Sequence, residues 1–561
     1  MQQLWQKLPK RIGALSGGLG LAVGLPALAL STSVGADGID ALRLHAEPYN
    51  LTGRKIAIGQ VEIGRPSVFG VDKIALENMP FQVAQALQLE SHGAADEFVD
   101  PHATNVASVM ISQDKFLTGV APDAVLFSAA VGPLNEFSGQ PEECITTQAV
   151  ALRNSGDVRA INFSFGEPLI RDPRPEAILD GNALLTQCID WSERVHDVLY
   201  VIAGNQGGGG IPIPTDNFNG INVAYSTRVD GRFVKIDFAN LSSEPTFSSP
   251  RSPAPESNEG ARRSINLVAP GSEIEMFNPD GQRTVSSGTS FAAPHVAATV
   301  ALLQEWGDRK IREGAPNWSL DARKPMVTKA VLLNAADKLQ DTGDGLRLGM
   351  GRTLLDEANL TWVESDAYAD PTIPLHAELG TGHLNAFRAY QQFNSGQWSS
   401  ASPVPAIGWD LSTVELDGAT YQDYVIEQPL QADSYFSATL SWERYVELND
   451  SNGNGLFDVG EAFNGQDLNN LDLYLMPADE TDISKSVWSS VSAEDSLEHI
   501  FYLIPETGRY KLRVVYHESA NGETSQPYAL AWWAAPVTAA APASTDDTFT
   551  DDTSTDDSLM P

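Results

Sequence analysis

The sequence predicts an α/β fold with a doubly wound, mostly parallel sheet, followed by an antiparallel β-sandwich domain. Up to residue 305, apolar strand-like runs alternate with helix-length stretches. After residue 398, strand-like runs of alternating polarity follow one another with no helices between them. Strands that are apolar throughout indicate a sheet covered on both faces, which is typical of parallel βαβ architectures.

The first part of the chain contains runs rich in Val, Ile and Phe that predict strands. They span residues 55–62, 124–131, 159–165, 198–203, 221–226 and 264–269. In doubly wound sheets, functional sites form at the carboxyl ends of the strands. Glu62 is the last residue of the first predicted strand, so we expect its carboxylate at that edge.

We divide the chain of 561 residues into five predicted segments. They are a signal peptide (1–36), a short extension (37–49), the α/β domain (50–397), the β-sandwich (398–536) and a disordered acidic tail (537–561). The signal has a basic start, an apolar stretch, and small residues at Val34 and Ala36 that suit cleavage before Asp37. An uncleaved membrane anchor is the alternative. With cleavage, we expect a secreted, periplasmic or cell-surface protein that is free of the membrane.

The net charge of −37 argues against nucleic acid and anionic membrane surfaces as partners. We expect a monomer. The two cysteines, Cys144 and Cys188, lie on predicted helices that flank the same strand. In an exported chain they are able to pair, and the sequence leaves that pairing open.

A candidate nucleophile lies in the stretch "GTSFAAPHVA", residues 288–297. Ser290 begins a predicted helix, where free backbone N–H groups and the positive end of the helix dipole favour an oxyanion. Pro294 fits the first turn. The alternative is that Ser290 only caps the helix, which is a common role for serine.

A nucleophilic serine needs a base, an acid that orients the base, and donors for the oxyanion. His102 is a candidate base, because Asp100 and Pro101 predict the start of a helix just before it. The alternative is a structural histidine. Glu62 offers the acid, and Asn205 follows a strand in a glycine-rich turn from which its amide is able to donate.

These stretches together resemble the subtilisin-like serine proteases (the subtilase, or S8, family). "GTSFAAPHVA", "HATNVAS", "AGNQG" and "INFSFG" are similar to the family's nucleophile, histidine, asparagine and substrate-strand motifs. Acid, histidine, asparagine and serine also follow the family's order. The resemblance covers roughly residues 50–395, and the C-terminal strands are similar to the jelly-roll domains that follow some secreted subtilases.

The resemblance implies a role for each matching position. Ser290 would be the nucleophile, His102 the general base, and Glu62 would stand where the family has aspartate. Asn205 and the backbone N–H of Ser290 would bind the oxyanion. The substrate backbone would pair with the strand formed by Ser164, Phe165 and Gly166.

The sequence departs from the family pattern at both the acid and the histidine motif. Glu62 replaces Asp, and Ala103 and Asn105 stand where the family has Gly and a second His. Two other carboxylates, Asp72 and Glu77, are rival orienting acids. Neither follows a predicted strand, so Glu62 ranks first.

A second motif, "DSNGNGLFDVGE" at 450–461, is similar to a calcium-binding loop. Alternating oxygen side chains are able to surround a hard cation, and Gly455 permits a sharp turn. The predicted Ca²⁺ ligands are Asp450, Asn452, Asn454, the carbonyl of Leu456, Asp458 and Glu461. The alternative is an acidic turn without metal.

The combined interpretation is an exported, calcium-stabilised serine endopeptidase that acts on polypeptides. The altered motifs leave room for a second hypothesis, a catalytically impaired subtilase-like protein that binds partners at the cell surface. A lipase or esterase also uses Ser, His and an acid. The absence of a G-x-S-x-G motif and the order of the residues argue against it.

Overall fold

A computed structural model describes residues 30–132, 139–175, 177–204, 212–236, 258, 260–416 and 420–537 of the protein. Residues 538–561 of the acidic tail that the sequence predicts, and residues 1–29 of the predicted signal peptide, therefore lie outside the described residues. None of the helices in these ranges combines the length and the apolar character that a membrane span requires.

The helices begin with two short segments that precede the sheet. In chain order they are α1 (Leu30–Val34), α2 (Leu42–His45), α3 (Pro101–Ile111), α4 (Gln140–Ala151), α5 (Arg153–Gly156), α6 (Leu184–His196), α7 (Thr289–Glu313), α8 (Pro325–Asn334), α9 (Asp366–Ala369) and α10 (Ala386–Asn394). Single 3₁₀ turns span Leu169–Arg171, Leu320–Arg323, Trp362–Glu364 and Ile483–Lys485.

The strands of the α/β part are β1 (Ala57–Glu62), β2 (Gln85–Gln88), β3 (Ser91–His92), β4 (Val125–Ala130), β5 (Val158–Phe163), β6 (Leu199–Ala203), β7 (Ile221–Val229), β8 (Arg232–Lys235), β9 (Leu267–Pro270), β10 (Ile274–Phe277), β11 (Arg283–Ser286) and β12 (Leu354–Leu355). The main sheet has the order β12-β8-β7-β6-β5-β1-β4-β2-β3, with β9 also paired to β7. Its pairs are parallel except β2–β3 and β7–β8. The predicted fold class is confirmed.

Apolar clusters cover both faces of the main sheet. One face packs against α3, α7, α8 and α10 through residues such as Val106 and Val296. The other face packs against α4 and α6 through Val150 and Ile189. Burial on both sides explains why the central strands are apolar throughout rather than alternating.

The C-terminal strands form two antiparallel sheets. They are β13 (Ile407–Glu415), β14 (Tyr421–Val425), β15 (Tyr435–Trp442), β16 (Val446–Leu448), β17 (Phe463–Gly465), β18 (Asn470–Pro477), β19 (Trp488–Ser490), β20 (Leu497–Leu503), β21 (Tyr510–Glu518) and β22 (Ser525–Ala534). The sheets have the orders β13-β22-β15-β20 and β14-β21-β18-β19, and β16 and β17 form a separate hairpin. Their facing sides enclose a second apolar core, as predicted for a β-sandwich.

The sandwich packs directly on the α/β part. Trp409 and Ala531 of its first sheet belong to the same apolar cluster as α8 and α10. On the opposite side, Phe457 of the β16–β17 hairpin packs against Cys144 and Cys188. Those two cysteines form a disulfide between α4 and α6, which answers the question that the sequence left open.

Residues 30–41 are part of the folded molecule. Ser33 is 1% exposed, and Val34 and Ile39 are fully buried in the main core. This segment overlaps the predicted signal peptide, residues 1–36. The boundary proposed from sequence therefore falls inside packed structure.

Candidate active site

The strand β1 delivers a buried carboxylate to the carboxyl edge of the sheet. Glu62 is its last residue, pairs with Ala130 of β4 and is 1% exposed. Gln60 lies two residues earlier on the same strand face, and its Nε2 donates to the carbonyl of Ala103 at 2.8 Å. Gln60 was not among the residues predicted from the sequence, although a polar residue inside an apolar strand is itself a signal.

The helix α3 begins beside that carboxylate. The side chain of Asp100 caps it by accepting hydrogen bonds from the backbone N–H groups of His102 (2.7 Å) and Ala103 (3.1 Å). Glycine is required at position 64, since an added Cβ there would lie 2.3 Å from the Cβ of Asp100. This close approach brings the start of α3 against the end of β1.

The imidazole of His102 faces Glu62. Its Nδ1 lies 3.2 Å from Oε2 of Glu62, and the histidine side chain is 40% exposed whereas the glutamate is 2% exposed. One buried carboxylate therefore holds one nitrogen of a half-exposed ring. With Nδ1 committed to Glu62, Nε2 is the nitrogen left to act on a substrate.

Burial and pairing shift the pKa of both groups. Burial raises the pKa of Glu62 above its usual value, and the neighbouring His102 opposes this in part. Burial disfavours the charged form of His102, but the carboxylate of Glu62 outweighs it and raises the pKa of the histidine. The carboxylate of Glu62 therefore stabilises the protonated form of His102 relative to the neutral form.

The rival acids have other roles. Both oxygens of Asp72 accept from the guanidinium of Arg65 at 2.7 Å, and neither side chain is more than 1% exposed. Glu77 is exposed. Of the three carboxylates considered from sequence, Glu62 is the one in contact with His102.

Ser290 is the second residue of α7. It is half-buried, and Gly288 before the helix has φ 153°, a conformation suited to glycine. The Oγ of Ser290 donates to the carbonyl of Ser164 at 3.3 Å, while the Oγ of Ser164 donates to the carbonyl of Ser290 at 3.0 Å. Among the described residues no hydrogen bond joins Ser290 to His102, because the hydroxyl of Ser290 donates to the carbonyl of Ser164 instead.

The predicted oxyanion donor, Asn205, lies outside the described residues. Gly204 directly before it is described, and its carbonyl accepts from Oγ1 of Thr289 at 2.8 Å. Gly204 therefore lies against the start of α7. Thr289, the buried neighbour of Ser290 in the chain, was not predicted from the sequence either.

The predicted substrate strand continues from the end of β5. Ser164 and Phe165 are buried, and Gly166 follows them. Asn162 supports this segment by donating from Nδ2 to Oγ of Ser164 at 2.8 Å. The segment thus lies at the same edge of the sheet as Glu62 and next to Ser290.

The unusual histidine motif fits its surroundings. Ala103 is fully buried, and its carbonyl receives the hydrogen bond from Gln60. Asn105 is 7% exposed and donates from Nδ2 to the carbonyl of Phe277 at 2.8 Å. Asn105 therefore ties α3 to the end of β10, which is a structural role.

The predicted calcium loop connects β16 to β17. Asp450 accepts from the backbone N–H groups of Gly453 and Gly455 at 2.6 and 2.7 Å. Asn452 and Asn454 both donate from their amides to Oδ2 of Asp458. Within the described ranges, no group of three or more His, Cys, Asp or Glu side chains is arranged to hold a metal ion.

Comparisons with known proteins agree with the motifs. The model described as "Subtilase family" matches residues 76–351, a range that includes His102 and Ser290 and begins after Glu62. Subtilisin from Bacillus pumilus is 24% identical over 296 residues, which cover 51% of this chain and 90% of that protein. Subtilisin E from Bacillus subtilis (strain 168) is 25% identical over 297 residues, covering 51% of this chain and 65% of that protein.

Solved structures are similar at lower identity. The prenylagaramide maturation protease PagA is 20% identical, with a TM-score of 0.38, and the match covers 61% of this chain and 95% of that chain.

Proposed function

Because residues 76–351 belong to the subtilase family of serine peptidases, we propose that this protein is an endopeptidase that uses Ser290, His102 and Glu62. The observation that carries the proposal is the contact of 3.2 Å between Nδ1 of His102 and Oε2 of Glu62. The ring centroid of His102 lies 5.6 Å from that of Phe291, the residue after Ser290. A histidine held by a carboxylate next to this helix start has the parts of a catalytic triad.

Each residue has a defined task in the proposed reaction. The Oγ of Ser290 attacks the carbonyl carbon of the scissile peptide bond, and Nε2 of His102 takes the hydroxyl proton. The carboxylate of Glu62 stabilises the imidazolium through Nδ1. His102 then gives the proton to the leaving amine, and water releases the acyl group by the same steps in reverse.

The oxyanion would be bound by the backbone N–H of Ser290 and the amide of Asn205. The hydrogen bond between Gly204 and Thr289 supports this assignment, because it joins the residue that precedes Asn205 in the chain to the residue that precedes Ser290. Loss of one such donor costs about 10²–10³-fold in turnover. The polypeptide substrate would lie along Ser164, Phe165 and Gly166.

Active-site labelling tests the proposal. We expect a fluorophosphonate probe to label the intact protein, and Ser290→Ala to abolish both labelling and casein hydrolysis. Ser287→Ala is a matched control, because Ser287 is exposed and lies before the helix. A folded wild-type protein that remains unlabelled would favour the surface-binding alternative instead.

We also propose export and a structural calcium ion. The donor set of the loop fits Ca²⁺, which prefers oxygen ligands. Hydrogen bonds from the backbone of Gly455 and its neighbours lower the pKa of Asp450, and those from Asp458 and Ser451 lower the pKa of Glu461, so both are anionic. When bound, the ion would hold the hairpin that packs against the disulfide.

Calorimetric titration with CaCl₂ tests the metal. We expect binding by the wild type and its loss in Asp450→Ala, together with a lower Tm after chelation. Asp479→Ala is the control, because Asp479 lies on the same domain outside the loop. Equal Tm values for wild type with and without chelator would remove calcium from the proposal.

A further inference from the structure

The segment that precedes β1 is folded tightly around one glycine. The backbone N–H groups of Ile39 and Ala41 donate to the carbonyls of Ser33 and Val34, both at 2.8 Å. A Cβ at Gly38 would lie 1.8 Å from the carbonyl oxygen of Ser33, so the turn requires glycine there. Residues on both sides of the sequence-predicted cleavage point, before Asp37, thus belong to one turn.

This turn reaches the helix that carries Ser290. The Oγ of Ser33 lies 2.8 Å from Nε2 of His295, a fully buried residue of α7. The other ring nitrogen, Nδ1, lies 2.7 Å from the carbonyl of Phe291. Burial lowers the pKa of His295 to about 4, so the ring is neutral and needs one donor and one acceptor.

Cleavage before Asp37 would remove the hydrogen-bond partner Ser33 and the buried side chain of Val34. His295 would keep a buried nitrogen without Ser33, and the core would lose the fully buried Val34. Arg352 would also lose the carbonyl of Ala36, which accepts from its Nη2 at 3.3 Å. A buried polar atom without a partner and a cavity in a core both destabilise a fold.

We propose that the leader is cleaved between Ala29 and Leu30, and that residues 30–36 belong to the mature enzyme. Ala27 and Ala29 form an A-x-A pattern, as signal peptidase requires. Residues 30–34, which follow this pattern in the chain, are helical and belong to the described fold. Water hydrolyses the bond, which leaves a carboxylate on Ala29 and the amino terminus on Leu30. This inference rests on the proposed export.

The amino terminus of the exported protein tests the inference. The full chain is secreted from a bacterial host as the Ser290→Ala variant, so that self-cleavage cannot create the terminus. N-terminal sequencing and intact mass are expected to give Leu30. Ala29→Phe is expected to leave the leader attached, whereas Ala36→Phe, at an exposed position, is expected still to begin at Leu30.

Other results would overturn the inference. An amino terminus at Asp37, or a block of processing by Ala36→Phe, would place cleavage where the sequence alone suggested. An uncleaved leader on a chain that has crossed the membrane would overturn this inference alone, whereas a chain that stays in the cytoplasm would overturn the export proposal. Probe labelling would still report on peptidase activity in either case.

A second measurement tests the packing itself. Ser33→Ala is expected to lower Tm, because His295 loses its partner, whereas Thr32→Ala, at a half-buried neighbour, is expected to leave Tm nearly unchanged. Identical Tm values for the two variants would contradict the assignment of this segment to the mature fold.

Discussion

Glu62 and Asp72 are two buried carboxylates near each other in the chain, and each faces a basic side chain. Asp72 forms a closed pair, since both of its oxygens bind Arg65 and the backbone N–H groups of Val68 and Asp96 also donate to it. Glu62 forms an open pair. Its Oε1 has no hydrogen-bond partner among the described residues, and its partner His102 is partly exposed.

The difference separates a structural ion pair from a site prepared for proton transfer. A buried pair with every oxygen satisfied holds its loop and has little capacity to change its charge. A buried carboxylate beside a titratable, accessible imidazole interacts most favourably with the ring when the ring is charged. An imidazole that acts as the base in acyl transfer becomes charged in the transition state. Proximity to a base alone would not have distinguished the two carboxylates.

The strongest test removes the charge from the open pair. In Glu62→Gln we expect kcat/KM to fall by about 10³–10⁴-fold, because an amide cannot stabilise the imidazolium of His102. Steady-state hydrolysis of a chromogenic peptide measures this loss of kcat/KM. Asp72→Asn is the comparison variant, in which we expect kcat/KM per folded molecule to change by less than about threefold, since no contact links it to His102. Retained activity in Glu62→Gln would exclude Glu62 from the reaction.

Breaking the closed pair should affect stability instead. Asp72→Asn leaves the guanidinium of Arg65 buried without a counter-charge, which costs about 3–5 kcal/mol. Chemical denaturation measures the loss, and Glu77→Gln, at an exposed position, is expected to change stability by less than about 0.5 kcal/mol. Arg65 holds the pKa of Asp72 below its usual value despite burial. The stabilisation is therefore present above the unfolded pKa of about 3.9 and lost as the pH falls through the lower folded value.

A shorter acid at position 62 tests how closely the carboxylate must approach His102. The backbone of Glu62 is fixed by its pairing with Ala130, so aspartate at this position would carry its carboxylate further from Nδ1 of His102. Misplacement by about 1 Å costs on the order of 10²-fold in rate. We expect kcat/KM of Glu62→Asp to be about 10–10²-fold lower than that of the wild type. The fluorophosphonate probe should still label this variant, but more slowly. Activity equal to the wild type would mean that the strand end shifts to accept the shorter acid.

The central strands were predictable because burial on both faces leaves a continuous apolar signal. The five strands β1, β4, β5, β6 and β7 were located within a few residues by that signal. The strands β2, β3, β10 and β11 were not predicted. All four are at most four residues long, and β2, β3 and β11 are mostly polar and at least partly exposed, so the pattern that marks a buried strand is weak there. The strand β10 is mostly buried and apolar, but its four residues are too few to show a pattern.

The site was predictable where local sequence determines geometry. Asp100 and Pro101 predicted the helix start, and the structure places the cap there. The contacts of Gln60 with Ala103, and of Thr289 with Gly204, join residues far apart in the chain. No short motif contains both partners of such a contact, so the sequence indicated candidate reacting groups but not the residues that hold them in position.

The smallest expected effect is a shift in the pH dependence of activity. His102 must be neutral to accept a proton, so kcat/KM is lost as the pH falls through its pKa. Burial lowers that pKa, whereas Glu62 and, to a lesser degree, Asp100 raise it, and the net direction is upward. We expect the acidic limb of the wild-type profile to lie above the usual histidine value of about 6.5. The limb should move to lower pH in Glu62→Gln, less far in Asp100→Asn, which keeps the helix cap, and not at all in Asp72→Asn. If the limb stayed in place when Glu62 was neutralised, the ring that controls activity would not be the one beside this carboxylate.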